Sequence, residues 1–68
     1  MTYDILFQLR GDQYIGRHLK TVKTEEAACK LVRNLKNLPA NTIHYAITCE
    51  DGRTIHDSSR DGLIEGTR

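Results

Sequence analysis

Apolar residues between positions 24 and 38 recur at the spacing of one helical face. The stripe consists of Ala28, Leu31, Val32, Leu35 and Leu38, and this spacing is typical of an amphipathic helix with one buried side. Thr24 can cap the first turn with its hydroxyl, and Pro39 disfavours helical geometry at the residue before it. The pattern therefore predicts a helix that begins after Thr24 and ends near Asn37.

Alternating apolar and polar residues flank this helix and predict strands. We expect them at residues 3–10, 14–22, 42–49 and 53–57, because alternation of this kind marks a strand with one buried face. A helix of this length is marginal alone in water, so its apolar side needs a sheet. The sequence thus predicts an α+β fold, ββαββ, with one helix packed on one face of a four-stranded antiparallel sheet. The first and third strands have the cleanest apolar faces, which places them in the centre and gives the order 2-1-3-4.

Two turns that contain glycine set the predicted registers. Gly11 and Asp12 are expected to form a two-residue hairpin loop. Residues 50–52 are expected to form a three-residue loop whose glycine adopts the left-handed conformation, because that length places Ile55 opposite Ile47. A one-residue slip would instead turn the apolar residues of the last strand toward the polar face.

These registers give the sheet one covered face and one open face. The helix is expected to cover Tyr3, Ile5, Phe7, Leu9, Tyr45, Ile47 and Ile55. Leu6, Ile15 and Leu19 are expected on the open face, beside Arg17, and an apolar cluster with a cationic rim is a recurring composition of protein interfaces. We therefore predict a non-enzymatic interaction module of bacterial or phage type. It would bind a protein partner, or itself as a homodimer, through Leu6, Ile15, Arg17 and Leu19 or through an exposed edge strand.

Length and cysteine content narrow the class of protein. Sixty-eight residues form one domain, expected at residues 1–57, and the polar remainder, residues 58–68, is expected to be a tail. Cys29 and Cys49 lie on different predicted elements and are expected to be free thiols in a reducing compartment. No apolar run is long enough to span a bilayer, and no signal-peptide pattern is present. We expect a cytoplasmic protein.

The charge of the chain bears on nucleic-acid binding as an alternative function. A net charge of +1 argues against a strongly electrostatic nucleic-acid binder. A local basic patch on the second strand and the helix keeps a nucleic-acid-binding module as the alternative function, with Arg10, Arg17, Lys20, Lys23 and Arg33 as the contact residues. Base stacking would need exposed aromatic rings, whereas the predicted register turns Tyr3, Phe7, Tyr14 and Tyr45 toward the buried side.

A pair of histidines provides a third hypothesis. His44 and His56 are expected on the open face, diagonally across the last two strands, where they could act as the acid and base of a small metal-free phosphodiesterase. Two histidines without a third ligand make a weak metal site. The chain contains no phosphate loop, dinucleotide fingerprint, zinc finger or nucleophile elbow. We therefore expect no enzymatic activity, no metal and no cofactor.

Overall fold

A four-stranded antiparallel sheet with one main helix forms the structure. The computed structural model describes residues 1–62. Its elements are β1 (Tyr3–Leu9), β2 (Arg17–Val22), α1 (Glu25–Arg33), a 3₁₀ turn (Leu35–Asn37), β3 (Thr42–Cys49), β4 (Thr54–Asp57) and α2 (Ser58–Asp61). The strand order is β2-β1-β3-β4, and all neighbours are antiparallel. The predicted α+β fold, its strand order and the position of its main helix are confirmed.

The core lies between α1 and the two central strands. Ile5 on β1, Val32 on α1 and Ile47 on β3 are fully buried, and Ala28 and Tyr45 complete the contact. Ile5 is paired directly with Ile47, so the two side chains share the covered face. Burial of one such aliphatic side chain contributes about 1.5–3 kcal/mol. Packing against the sheet therefore stabilises a helix that would be marginal alone.

Helix α1 begins as predicted but ends early. Thr24 is the N-cap, and its Oγ1 accepts a hydrogen bond of 3.0 Å from the Ala27 N–H. The helix ends at Arg33, because Asn34 adopts an extended conformation (φ −93°, ψ 99°). A separate 3₁₀ turn follows where the pattern predicts continuous helix. This break changes the direction of the side chains after it.

The hairpin between β3 and β4 has the predicted loop. Gly52 has a φ of 93°, and its N–H donates to the Cys49 carbonyl at 2.9 Å. The Cys49 N–H donates to the Arg53 carbonyl at 2.7 Å, which closes the three-residue loop. The pairing then shifts, so that His56 rather than Ile55 lies opposite Ile47. Ile55 is left without a cross-strand partner but still packs against the core, as its predicted facing requires.

The predicted connection between β1 and β2 is wrong. A long connection over residues 10–16 replaces the two-residue loop, because Asp12 forms a turn with Leu9 instead. The Asp12 N–H donates to the Leu9 carbonyl at 3.0 Å, and the Leu9 N–H donates back to Asp12 Oδ2 at 3.1 Å. Strand β2 starts only at Arg17. Tyr14, predicted on the buried side, is 80% exposed.

The short helix α2 follows β4 where composition predicts a tail. Asp57 is its N-cap and accepts from the Ser59 N–H at 2.9 Å. The Ser58 hydroxyl accepts from the Tyr45 N–H at 2.9 Å and so ties α2 to β3. Leu63 and Ile64 of the predicted tail lie outside the described residues. Within residues 1–62, neither helix has the length and apolar character needed to cross a bilayer.

Candidate docking groove

Leu19 does not lie on the open face. A bulge in the pairing between β1 and β2 leaves Leu19 without a partner on β1, and its side chain packs against the core beneath α1. The predicted facing of Leu19 was therefore wrong. Ile15 is half-buried in the connection before β2 rather than on a strand. Only Leu6 lies on the open face as predicted, half-buried and opposite Ala46.

The rest of the open face of the described sheet is polar. The Thr21 hydroxyl donates to Asp4 Oδ1 at 2.5 Å, and His18 Nε2 lies 2.9 Å from the same hydroxyl oxygen. Since the only hydroxyl hydrogen of Thr21 is used on Asp4, His18 Nε2 must be the donor in the second bond. This network joins β2 to β1 and is exposed to solvent, so it stabilises the strand pair without forming a pocket. The open face needs no covering layer.

Both edge strands carry features that discourage strand addition. Strand β2 has the bulge at Leu19 and an exposed lysine, Lys20, and bulges and edge lysines are known devices against edge-to-edge pairing. Strand β4 is only four residues long. The Asp57 N–H at its end donates to Asp61 Oδ2 of α2 at 3.2 Å.

The basic residues predicted for nucleic-acid binding come from several segments of the chain. The predicted set is Arg10, Arg17, Lys20, Lys23 and Arg33, and all of its members are exposed. Arg17 is held by Asp12, with Nε 2.7 Å from Oδ2 and Nη2 3.1 Å from Oδ1. This contact keeps the pKa of Asp12 below its usual value. The other members lie on the first connection, on and just after β2, and on α1, and within residues 1–62 they form no ion pair.

The two histidines lie on opposite faces of the sheet, which contradicts the predicted pair. His44 is paired with Gln8 on the open face, whereas His56 is paired with Ile47 on the covered face. The His56 ring stacks on Tyr45 with centroids 5.8 Å apart, and its Nε2 donates to the Gly62 carbonyl at 2.8 Å. The bulge at Ile55 is the cause, since it reverses the facing of the residue after it. The two rings cannot act on one phosphodiester.

Leu35 is the first of two leucine or isoleucine residues that the fold leaves exposed within residues 1–62. The helical stripe predicts it in the core, yet it is 52% exposed. The break at Asn34 is responsible, because Asn34 Oδ1 accepts from the Lys36 N–H at 3.1 Å and starts the 3₁₀ turn. Asn37 Nδ2 then donates to the Leu31 carbonyl at 2.9 Å, which gives one backbone carbonyl of the last turn of α1 a hydrogen-bond partner. The turn rotates Leu35 away from the helical stripe while Leu38 stays buried.

Ile43 is the second leucine or isoleucine that the fold leaves exposed within residues 1–62. The pairing of β1 with β3 shifts between Gln8 and Leu9, so that Gln8 lies opposite His44 and Leu9 lies opposite Thr42. Ile43 falls between these pairs and has no cross-strand partner on β1. Its side chain is 44% exposed, although the alternation predicts it on the covered face.

Leu35 and Ile43 line the same groove, which we call the docking groove. It has a volume of about 610 Å³ and lies between the 3₁₀ turn, the connection to β3 and the start of β3. Its lining consists of Leu35, Lys36, Leu38, Pro39, Ala40, Thr42, Ile43, His44 and Tyr45. The volume lies in the range of small-ligand sites, and aliphatic side chains dominate the lining.

One buried hydroxyl beside the groove has no partner within the described part of the chain. It is Thr42 Oγ1, whose residue is anchored through its N–H to the Pro39 carbonyl at 3.0 Å. An unsatisfied buried hydroxyl costs about 1–3 kcal/mol.

The other surface features have simpler explanations. A depression of about 1000 Å³ runs along the outer side of α1, but its lining mixes Glu25 and Glu26 with Lys30 and Arg33, as in a solvated helix face. Burial is the main cause that raises the pKa of the Cys29 thiol, so this residue is not an activated nucleophile. Across residues 1–62, no three histidine, cysteine or acidic side chains lie together as a metal site would require.

The groove could be found only in part from the sequence. Asn34 and Asn37, on the polar side of the predicted helix, were the available signal, because asparagine competes with the backbone for hydrogen bonds and favours helix ends. The bulge at Ile43 has no comparable signal in the alternating pattern of β3.

In comparison with known proteins, the chain matches no protein-family model, no curated protein and no solved structure.

Proposed function

We propose that this protein is a small, non-enzymatic interaction module of bacterial or phage type that binds a protein partner through the docking groove. The observation that carries this proposal is the meeting of Leu35 and Ile43, two large exposed aliphatic residues, in one concave surface. Exposed apolar residues that cluster mark interaction sites, whereas singly scattered ones need no explanation. Two free cysteines support a reducing compartment, and we propose the cytoplasm.

The groove is a better candidate than the surfaces predicted from the sequence. The open sheet face retains Leu6 as its only large apolar side chain within residues 1–62, since Leu19 packs into the core. Both edges carry features that discourage strand addition, which are Lys20 and the bulge on β2 and the short length of β4. The apolar surplus that predicts an interaction surface is present, but it lies at the end of α1.

The size of the groove favours a short segment as its occupant. A stable interface buries about 800 Å² on each partner, which is roughly one sixth of this chain's 4826 Å² of accessible surface. A few side chains around one groove supply less than that. A single short segment of a partner protein, bound weakly and reversibly, therefore fits the site better than a second folded domain or a second copy of this chain.

Selection from a library of displayed random peptides tests this proposal. The full chain is the bait, and each enriched peptide is then synthesised and titrated by fluorescence anisotropy against the wild type and the double variant Leu35→Gln/Ile43→Thr. Both substituted residues are exposed, so the double variant should keep its circular dichroism spectrum. We expect the affinity to fall roughly tenfold or more, because burial of one aliphatic side chain contributes about 1.5–3 kcal/mol.

Two further variants locate the binding surface. Tyr14→Gln changes another large exposed side chain, one that does not line the groove, and should leave every affinity unchanged. Leu6→Asp tests the open face. The proposal fails if no peptide is enriched, or if enriched peptides bind Leu35→Gln/Ile43→Thr as tightly as the wild type. Loss of binding in Leu6→Asp alone would move the site to the open sheet face.

A further inference from the structure

The charges around the docking groove specify the chemistry of the segment that binds there. Among the described residues that line the groove, Lys36 is the only lysine or arginine, and none of them carries a carboxylate. His44, which also lines the groove, adds no negative charge, because an imidazole ring has no carboxylate. A ligand that enters this groove therefore meets aliphatic side chains together with a positive potential.

Lys36 is also available for a partner. The arginines at positions 17, 53 and 60 are each ion-paired with a nearby aspartate, at 2.7–2.8 Å. Lys36, by contrast, is exposed and forms no ion pair within residues 1–62. The acidic residues of α1, Glu25 and Glu26, lie in its first turn, at the end of the helix opposite to the groove.

We propose that the segment bound in the docking groove carries a carboxylate next to its aliphatic side chains, and that Lys36 binds this carboxylate. This inference rests on the proposed function and names the class of partner, an acidic aliphatic peptide segment. Leu35 and Ile43 supply the apolar contact, and Lys36 selects the charge of the neighbouring residue. Complementary charge at the rim of an interface acts mainly on specificity and on the rate of association.

A second copy of this chain fits the same surface less well. Two grooves packed on each other would place two Lys36 side chains in one interface, and the described lining offers no carboxylate to pair with either. Like charges brought together oppose association. An acidic segment removes this conflict, because it supplies the charge that the groove lacks.

Three synthetic peptides test the inference. They share a Leu-Leu pair and differ only in the next residue, which is Glu, Gln or Lys. Binding to the full chain is followed by NMR, through the backbone amide shifts of Leu35 and Ile43. We expect the Glu peptide to bind about two- to fivefold more tightly than the Gln peptide, the range that one exposed ion pair supplies, and the Lys peptide to bind most weakly.

Variants of Lys36 and a matched control complete the experiment. Lys36→Gln should remove the preference for the Glu peptide and leave the affinity for the Gln peptide unchanged, whereas Lys36→Glu should favour the Lys peptide. Lys23→Gln, which neutralises another exposed lysine, should change nothing. Equal binding of the three peptides to the wild type would overturn the charge selection and leave the groove as a docking site. If none of the peptides shifts the Leu35 and Ile43 amides, the acidic aliphatic class of partner is wrong, whereas the docking function itself is decided by the selection from the peptide library.

Discussion

Asp12 shows how one side chain determines the course of the chain between β1 and β2. Its carboxylate accepts from the Leu9 N–H at 3.1 Å and from Arg17 at 2.7 Å, and its carbonyl accepts from Gln8 Nε2 at 2.7 Å. These bonds hold a turn that a two-residue hairpin loop would not permit. They also delay the start of β2 until Arg17, which sets the position of every later residue of that strand.

Replacement of Asp12 by asparagine should remove one source of the pH dependence of stability. The hydrogen bond from Arg17 is the main reason that the folded-state pKa of Asp12 lies below its ordinary value, so the charged form stabilises the fold at neutral pH. Because the folded pKa is depressed, this contribution is present above the unfolded pKa, near 3.8, and is lost as pH falls through the folded pKa. We expect Asp12→Asn to unfold at a lower urea concentration at pH 7, and this gap from the wild type to narrow below about pH 4.

Arg17→Gln is the control for this effect. It removes the same ion pair from the other side, so it should lower the urea midpoint at neutral pH. In the double variant Asp12→Asn/Arg17→Gln, the second substitution should lower the stability little further. A gap between Asp12→Asn and the wild type that stayed constant from pH 7 to pH 3 would show that the lost interaction is not electrostatic.

At the scale of elements, the hairpin of β3 and β4 depends on one backbone conformation. Gly52 has a φ of 93°, a value that a side chain makes unfavourable by about 1–2 kcal/mol. The pairing of β3 with β4 starts from this loop, so a different loop length would change which residues of β4 face α1.

Gly52→Ala should therefore destabilise the protein by about 1 kcal/mol. Gly16→Ala is the matched control, because a Cβ there has open space and the backbone lies outside the left-handed region. That variant should be neutral or slightly stabilising. Urea unfolding followed by far-UV circular dichroism measures both. Equal losses of stability would mean that the conformation of the loop does not matter for the hairpin.

At the scale of the whole molecule, one helix covers one face and the other face is polar enough to stay open. Within residues 1–62, Asp4, His18 and Thr21 make the open face a hydrogen-bonded surface, and Leu6 is only half-exposed on it. A second layer is therefore not required for stability. The surplus apolar residues that the alternation predicts are divided between the core, which takes Leu19, and the docking groove.

The overall charge bears on the nucleic-acid alternative. A net charge of +1, with basic residues spread over several elements, provides little counterion release. We expect no shift of a DNA duplex or of single-stranded RNA in a gel at low salt. A complex whose affinity falls steeply with added salt, and which is lost in Lys20→Gln/Lys23→Gln, would instead support nucleic-acid binding.

The accuracy of the sequence-based prediction follows the range of the interactions involved. Thr24, Gly52 and the alternation in β3 act locally, and the helix start, the three-residue loop and the strand order that they predict are all confirmed. The bulges at Leu19, Ile43 and Ile55 arise where two strands must match their apolar residues across the sheet. Their positions depend on pairs of strands, so the pattern of a single strand could not place them.

The sequence by itself determined that four strands and one main helix form in this order, because periodicity, caps and turn residues act within a few positions of the chain. It also determined that the chain has more apolar residues than the interface between one helix and one face of the sheet can bury. Only the tertiary structure decided where the excess goes. Asn34 ends α1 early and a bulge displaces Ile43, so Leu35 and Ile43 meet at the surface while Leu19 is buried. Packing between distant segments makes that choice, since each bulge reverses the facing of the residues beyond it.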